Sequence, residues 1–251
     1  RGVIIGEGDS PPEELPEGIP LIRSYSITST PDLTAKWVRL MFPVKWPVTA
    51  DYFDAIRKLL EFRRALGAAS LIQISLEAHP ASYPLLIALG ADCVETSLPI
   101  EAASRGIYLT HDGFADIDSV RELPCYCPVC LDSTPGELGS NEFLLAKHNL
   151  IVCLEEIRRV REAIRGGWLW ELVQMRVRHD PRLLMSLKRA LIEFYRDLEI
   201  REPFSKQSGI FYSGEETEHR VEVVSARKLL AEAKISGRKF RTKLFGDVSL
   251  G

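Results

Sequence analysis

Three cysteines fall within one short run, Cys125-Tyr126-Cys127-Pro128-Val129-Cys130, and a histidine, His148, follows near the start of a long helical pattern. Thiolates and imidazole are soft or borderline donors, and four of them suit a tetrahedral zinc ion. The spacing predicts a zinc site made of Cys125, Cys127, Cys130 and His148. With all four positions filled by protein, such a zinc is structural and has no open position for activating water. The competing reading is three reduced structural thiols, yet buried cysteines seldom crowd this closely without a metal. Cys93 and Cys153 sit among apolar neighbours and read as core. Five cysteines in all, an odd number, fit a metal in a reducing compartment better than a disulfide framework.

The elements that must hold these residues are legible as two grammars. From Arg1 to about Val120 short apolar runs alternate with helical patterns, the signature of βα units around a parallel sheet. Val3 to Ile5, Leu21 to Ile27, Ser70 to Leu76 and Ala91 to Glu95 read as strands. Leu33 to Phe42, Tyr52 to Leu66 and Ala81 to Leu89 read as helices, the second capped by Thr49 or Asp51 and closed by Gly67. After the cysteines the period becomes helical throughout. Leu144, Ile151, Leu154, Ile157, Val160 and Ile164 mark a long helix stopped by Gly166 and Gly167, and Trp168 to Arg178 and Pro181 to Leu198 continue the run. Ile210 to Tyr212 reads as a small strand and Val223 to Ala233 as a last helix. The class is α/β with a mainly helical extension.

Composition limits the function classes. With 251 residues and 45% hydrophobic content the chain can bury cores of ordinary size. No apolar run approaches the roughly 20 residues of a membrane span, which reads as a soluble, cytoplasmic protein. The first residue is Arg1, as in a piece of a longer protein. The net charge of -3 is uninformative about partners, but its distribution is uneven. Acids cluster at Glu7, Asp9, Glu13, Glu14 and Glu17, and bases at Lys234, Arg238, Lys239, Arg241 and Lys243.

The run Pro124 to Cys130, followed by Thr134-Pro135 and by Ala146-Lys147-His148-Asn149-Leu150, resembles the archaeosine and queuine tRNA-guanine transglycosylases. The likeness continues through Leu169-Trp170-Glu171-Leu172-Val173 and Glu202-Pro203-Phe204-Ser205-Lys206-Gln207-Ser208, which look like the archaeal branch. Upstream it includes Ala78-His79-Pro80 and Gly90-Ala91-Asp92, so that it covers about residues 50 to 235. The resemblance implies a TIM barrel with a zinc appendage, exchanging a guanine of tRNA for a deazaguanine through a covalent ribosyl-aspartate. It divides the chain into a partial (β/α)-barrel module at 1–122, a zinc-binding helical domain at 123–200 and a small C-terminal α+β segment with a basic tail at 201–251.

Two departures bear on catalysis. Glu95 stands where the resemblance puts the nucleophilic aspartate. A glutamate can attack an anomeric carbon, but its extra methylene moves the carboxylate by about 1.5 Å, and a misplacement of about 1 Å can cost roughly 100-fold. Barrel-like sequence also ends near residue 120, whereas a full eight-stranded barrel takes about 250 residues. Roughly half the barrel is absent, and with it the segments that supply the acid–base aspartate and much of the base pocket. The expected role is therefore a subunit or split half of an archaeal-type tRNA-guanine(15) transglycosylase, inactive without a partner chain and contributing zinc, dimerisation and tRNA binding. The partner is a catalytic chain or a second copy. The alternatives are a non-catalytic tRNA-binding or scaffolding paralogue and a fragment of a normal enzyme.

The remaining candidates carry bland readings beside the functional ones. By the period of two, Asp92 and Glu95 lie on opposite strand faces, and Glu95 is the one expected at an active-site mouth. The competing reading of Glu95 is an ordinary strand-end carboxylate. His79 reads as a packing or capping residue, Tyr108 and Arg105 as surface, and Trp168 and Trp170 as core. Arg158, Arg159, Arg161, Arg165, Arg176, Arg178, Arg182, Lys188 and Arg189 form a basic run that acids interleave. Arg238, Lys239, Arg241 and Lys243 are the better candidates for phosphate contacts.

Overall fold

In the computed structural model, which describes residues 3–6, 9–10, 12, 17, 19–26, 28–42, 52–202 and 210–232, a five-stranded parallel sheet runs in chain order. It consists of β1 (Val3–Ile5), β2 (Leu21–Tyr25), β3 (Trp37–Met41), β4 (Leu71–Ser75) and β5 (Cys93–Glu95). Each strand pairs in parallel with the one before it. Sequential order means that every crossover winds the same way, so helices gather on one face, as in a barrel wall. The fold is α/β and barrel-like.

Helix α1 (Tyr52–Leu66) joins β3 to β4, and a 3-10 turn (Pro80–Ser82) with α2 (Tyr83–Ala88) joins β4 to β5. On the helix side Val38, Leu40, Ile72 and Ile74 pack with Ile56, Leu59 and Leu60 of α1. The pairing register puts Ile4, Trp37, Arg39, Met41, Leu71, Gln73, Cys93 and Glu95 on the opposite face. There Ile4, Leu71 and Met41 stay 51%, 43% and 38% exposed. Two buried polar atoms of the same face, Ser24 Oγ and Trp37 Nε1, find no hydrogen-bond partner.

After β5 come α3 (Leu98–Ala103), an antiparallel hairpin of β6 (Ile107–Leu109) and β7 (Phe114–Asp116), and a 3-10 turn (Ile117–Ser119). Helices α4 (Pro128–Leu131), α5 (Pro135–Ser140) and α6 (Glu142–Arg165) follow. A reciprocal capping box between Thr134 and Glu137 starts α5, and the Asn141 side chain accepts from the Leu144 N–H to start α6. The chain continues through α7 (Leu169–Arg176), α8 (Pro181–Glu193), α9 (Tyr195–Glu199), a 3-10 stretch (Glu215–His219) and α10 (Val221–Glu232). Trp170 and Val173 of α7 and Leu183, Leu187 and Leu191 of α8 enter the same core as the sheet. The helical extension thus packs against the barrel wall itself. Among the described residues no helix is long and apolar enough to cross a membrane.

Four sequence expectations are corrected in detail. Leu33 to Phe42 is no helix: its second half is strand β3, with Val38 and Leu40 buried and Arg39 on the other face. Trp37, Leu40 and Met41 recur at three and four residues, so the window fits both periods, and pairing with strands on both sides decides it. Ile210 to Tyr212 is exposed and forms no strand, and none of the described residues pairs with it. The helix expected over Pro181 to Leu198 breaks at Phe194, and the one expected from Ala81 opens as a 3-10 turn. The expected caps Thr49 and Asp51 lie outside the described residues.

Candidate functional site

The short helix α4 is the local reason the three thiols converge. Cys127 caps it, its Sγ accepting from the Cys130 N–H at 3.4 Å, while Pro128 at the first helical position loses no hydrogen bond. The Cys125 Sγ accepts in turn from the Cys127 N–H at 3.3 Å. The second turn of α6 then brings His148 against them. Its Nδ1 lies 3.5 Å from the Cys127 Sγ and 3.2 Å from the Cys130 Sγ. One donor atom from each of Cys125, Cys127, Cys130 and His148 lies within 4.8 Å of all the others, and only Cys125 is less than fully buried. This donor set fits a metal, because four ligand atoms converge from two elements on one point.

The surroundings fix His148 in the form a metal needs. Its Nε2 donates to the Leu109 carbonyl at 2.9 Å, so the Nδ1 facing the thiols carries the lone pair. Asn149, next on α6, accepts from the Leu109 N–H at 2.9 Å and donates to the carbonyls of Ile107 (2.9 Å) and Pro99 (3.4 Å). Two consecutive residues of α6 therefore grip both sides of one hairpin residue. Tyr108 stacks on the His148 ring at 4.0 Å and 6°, with its hydroxyl 3.4 Å from the Cys130 Sγ. Burial lowers His148 to about 4 and pushes Cys130 up to about 12, so without a cation the thiol holds its proton. Sequence reading missed Tyr108, expected on the surface and in fact fully buried. Its place in the alternation of β6 was the available signal.

Glu95 ends β5, and its carboxylate is held on both oxygens. Arg39 donates through Nε at 2.5 Å to one oxygen and through Nη2 at 2.7 Å to the other, and Gln73 adds a bond at 2.6 Å. The Arg39 guanidinium keeps the carboxyl below its ordinary pKa, so Glu95 is a charged, doubly engaged group on the sheet face opposite α1. Asp92 points the other way, to Arg63 and the Ile72 N–H, as the period of two requires. At the end of β4, Glu77 accepts from the Ser97 N–H at 2.9 Å and from Thr96 at 3.1 Å.

His79 caps the 3-10 turn, Nδ1 accepting from the Ala81 N–H at 3.1 Å, as a capping role requires. Its Nε2 meets the Thr110 and Gly113 carbonyls, and burial lowers its pKa to about 4. Trp170 is buried and Trp168 half-buried, both packing against core clusters. Most of the basic run is engaged by acids. Arg159 and Arg176 pair with Glu156, Arg165 with Glu162, Arg178 with Glu216, Arg182 with Asp180, Lys188 with Glu215 and Arg189 with Glu193. Arg238, Lys239, Arg241 and Lys243 lie outside the described residues.

A chain-ordered parallel barrel wall, followed by a helical module whose α4 loop and α6 meet in a convergent Cys3His cluster, defines a class: a barrel-type protein with an appended module that carries a candidate metal site. Comparison with known proteins narrows it. Residues 63–182 match the family model described as queuine tRNA-ribosyltransferase. The tRNA-guanine(15) transglycosylase of Korarchaeum cryptofilum is 40% identical over 206 residues, covering 80% of this chain and 35% of that protein. The proteins of the same name from Methanococcus aeolicus and Methanocaldococcus jannaschii are 35% and 41% identical, over 79% and 71% of this chain and 31% and 28% of their own lengths. The chain belongs to the tRNA-guanine transglycosylase family, in its archaeal branch. It spans about a third of the length of these curated relatives.

Proposed function

We propose that this chain is a subunit or split half of an archaeal-type tRNA-guanine(15) transglycosylase, a cytoplasmic component of archaeosine tRNA modification that acts with a further barrel-bearing chain. The observation that carries this reading is the sheet face opposite α1. It holds exposed Ile4, Met41 and Leu71, orphaned Ser24 Oγ and Trp37 Nε1, and the strand-end Glu95. A closed barrel would enclose that face. A second chain supplying further strands would bury its exposed apolar groups. The modules at 1–122, 123–200 and 201–251 are proposed as its functional parts. Zinc at Cys125, Cys127, Cys130 and His148 would supply a structural crosslink between the α4 loop and α6. The basic tail with Arg238, Lys239, Arg241 and Lys243 would contact tRNA phosphates, and the assembly would be a dimer of like or unlike chains.

A specific observation favours a second reading. Both carboxylate oxygens of Glu95 are taken by Arg39 and Gln73, and a nucleophile needs one of them free at the ribose. The second reading is a non-catalytic tRNA-binding or scaffolding paralogue in which this ion pair only ties strands together. Glu95→Gln separates the two. If Glu95 is the nucleophile of such a complex, the change abolishes base exchange and covalent trapping of tRNA while assembly persists; if the ion pair only ties strands together, exchange by the complex is unchanged. Purification of the chain from its source cells, followed by size exclusion, tests the shared premise. A barrel-bearing chain or a second copy should co-elute, and elution as a lone monomer at micromolar concentration contradicts it.

A further inference from the structure

A zinc ion brings two positive charges and three cysteine thiolates bring three negative ones, so the filled cluster of Cys125, Cys127, Cys130 and His148 is a largely buried anion. A buried charge is tolerated only where hydrogen-bond donors meet it, and a metal-bound thiolate can only accept. The local chain supplies two such donors. The Cys127 N–H reaches the Cys125 Sγ at 3.3 Å, and the Cys130 N–H reaches the Cys127 Sγ at 3.4 Å, because α4 starts between them with Cys127 as its cap. Cys130 lies inside that helix and has no backbone donor of this kind among the described residues. The groups at its Sγ are the ring Nδ1 of His148 at 3.2 Å and the hydroxyl of Tyr108 at 3.4 Å.

Tyr108 arrives from a different element, strand β6 of the hairpin, and it is held in place there. Its side chain is fully buried, and its ring lies on the His148 ring at 4.0 Å and 6°, so the phenol cannot swing out to water. Among the described residues the hydroxyl has no hydrogen-bond partner other than the Cys130 Sγ. While Cys130 is a thiol, either group could be the donor. A thiolate has no proton to give, so the bond must then run from the phenol O–H to the sulfur. Two adjacent residues of β6 thus address two ligands: the Tyr108 hydroxyl meets Cys130, and the Leu109 carbonyl accepts from Nε2 of His148. Such partners behind the ligands orient them and tune how strongly they hold a metal.

We propose that Tyr108 is a positioning residue of the metal centre, its hydroxyl donating to the Cys130 thiolate so that each of the three sulfurs has one donor. The inference rests on the reading that zinc occupies this cluster. Competition with a chromogenic chelator measures zinc affinity of the 251-residue chain and of Tyr108→Phe, which removes the hydroxyl and keeps the ring on His148. The variant should hold zinc roughly tenfold more weakly. With cobalt(II) in place of zinc, its sulfur-to-cobalt charge-transfer band should move to longer wavelength, because a thiolate without its hydrogen bond gives up electron density more readily. A purely structural role for the ring would leave that band where it is. If Tyr108→Phe does not fold, the unaltered chain loaded with the NMR-active cadmium isotope serves, and a metal–proton correlation to the Tyr108 hydroxyl is expected beside those to the Cys127 and Cys130 N–H groups. Failure of the unaltered chain to take up zinc would end the zinc reading itself, and this inference with it. Where the unaltered chain does bind zinc, the role of Tyr108 alone is overturned by an affinity of Tyr108→Phe within about twofold of it, by an unmoved cobalt band, or by cadmium correlations to the two N–H groups without one to the hydroxyl.

Discussion

At the scale of single residues, the Cys3His cluster is held from behind as much as from within. Asn149 satisfies the Leu109 N–H and the carbonyls of Ile107 and Pro99, and no water is needed to complete the set. Asn149→Ala leaves three buried backbone groups unmet, so a loss on the order of 3 kcal/mol in urea denaturation is expected. A loss below about 0.5 kcal/mol would contradict the grip described for α6. His79 offers a pH test. Burial first, then the facing His179 ring, lowers its pKa from 6.5 to about 4, while Asp112 and the Thr110 and Gly113 carbonyls pull the other way. The unfolded chain takes up this proton as pH falls below about 6.5, and the folded chain resists until about 4. Stability from neutral His79 is therefore complete above that window and lost through it, by up to roughly 3 kcal/mol. Denaturation midpoints of wild type and His79→Gln should converge as pH falls from 7 to 4.5. Parallel pH profiles would show that His79 contributes none of this dependence.

At the scale of elements, the convergence of the cysteines was legible because their spacing is local, whereas the packing shell around them was not. Cys125, Cys127 and Cys130 share one turn, so their convergence follows from sequence. Tyr108 reaches the site only because the β6–β7 hairpin docks on α6, a contact between segments about forty residues apart that no window contains. The same limit explains β3. Trp37, Leu40 and Met41 satisfy a helical period, and only pairing with β2 and β4 selects the strand. By contrast α1 and α6, long and periodic, were read close to their observed ends. A prediction belongs here. The cluster ties the α4 loop to α6 and lies against the hairpin, while the sheet core draws on α1, α7 and α8. Zinc removal by a strong chelator should lower the melting midpoint and raise amide exchange first in 107–145, with β3 and β4 protected longest. An unchanged midpoint with the metal demonstrably gone would refute a structural role.

At the scale of the whole molecule, the described helices lie on one side of the sheet, and the other side keeps exposed apolar groups. Helix α1 packs on Val38, Leu40, Ile72 and Ile74, with α8 packed in turn on α1, while Arg39, Gln73 and Glu95 form a polar patch among exposed apolar groups on the other face. Under the proposed function, tRNA affinity would rest on bases outside the helical extension, since seven basic residues of that extension are already engaged by acids. Binding measured by filter retention should fall steeply with salt, and removing Arg238, Lys239, Arg241 and Lys243 together should flatten the slope. Absence of binding at low salt would remove the RNA role.

The central claim is that this chain acts only as part of a larger transglycosylase, because groups on both sides of one ribose–base bond must come from strand ends of a closed barrel. Its most direct test is release of labelled guanine from tRNA, measured for the pure 251-residue chain and for its complex with a co-purified barrel-bearing chain. No exchange by the isolated chain and exchange by the complex is the predicted result; robust exchange by the pure monomer would contradict it.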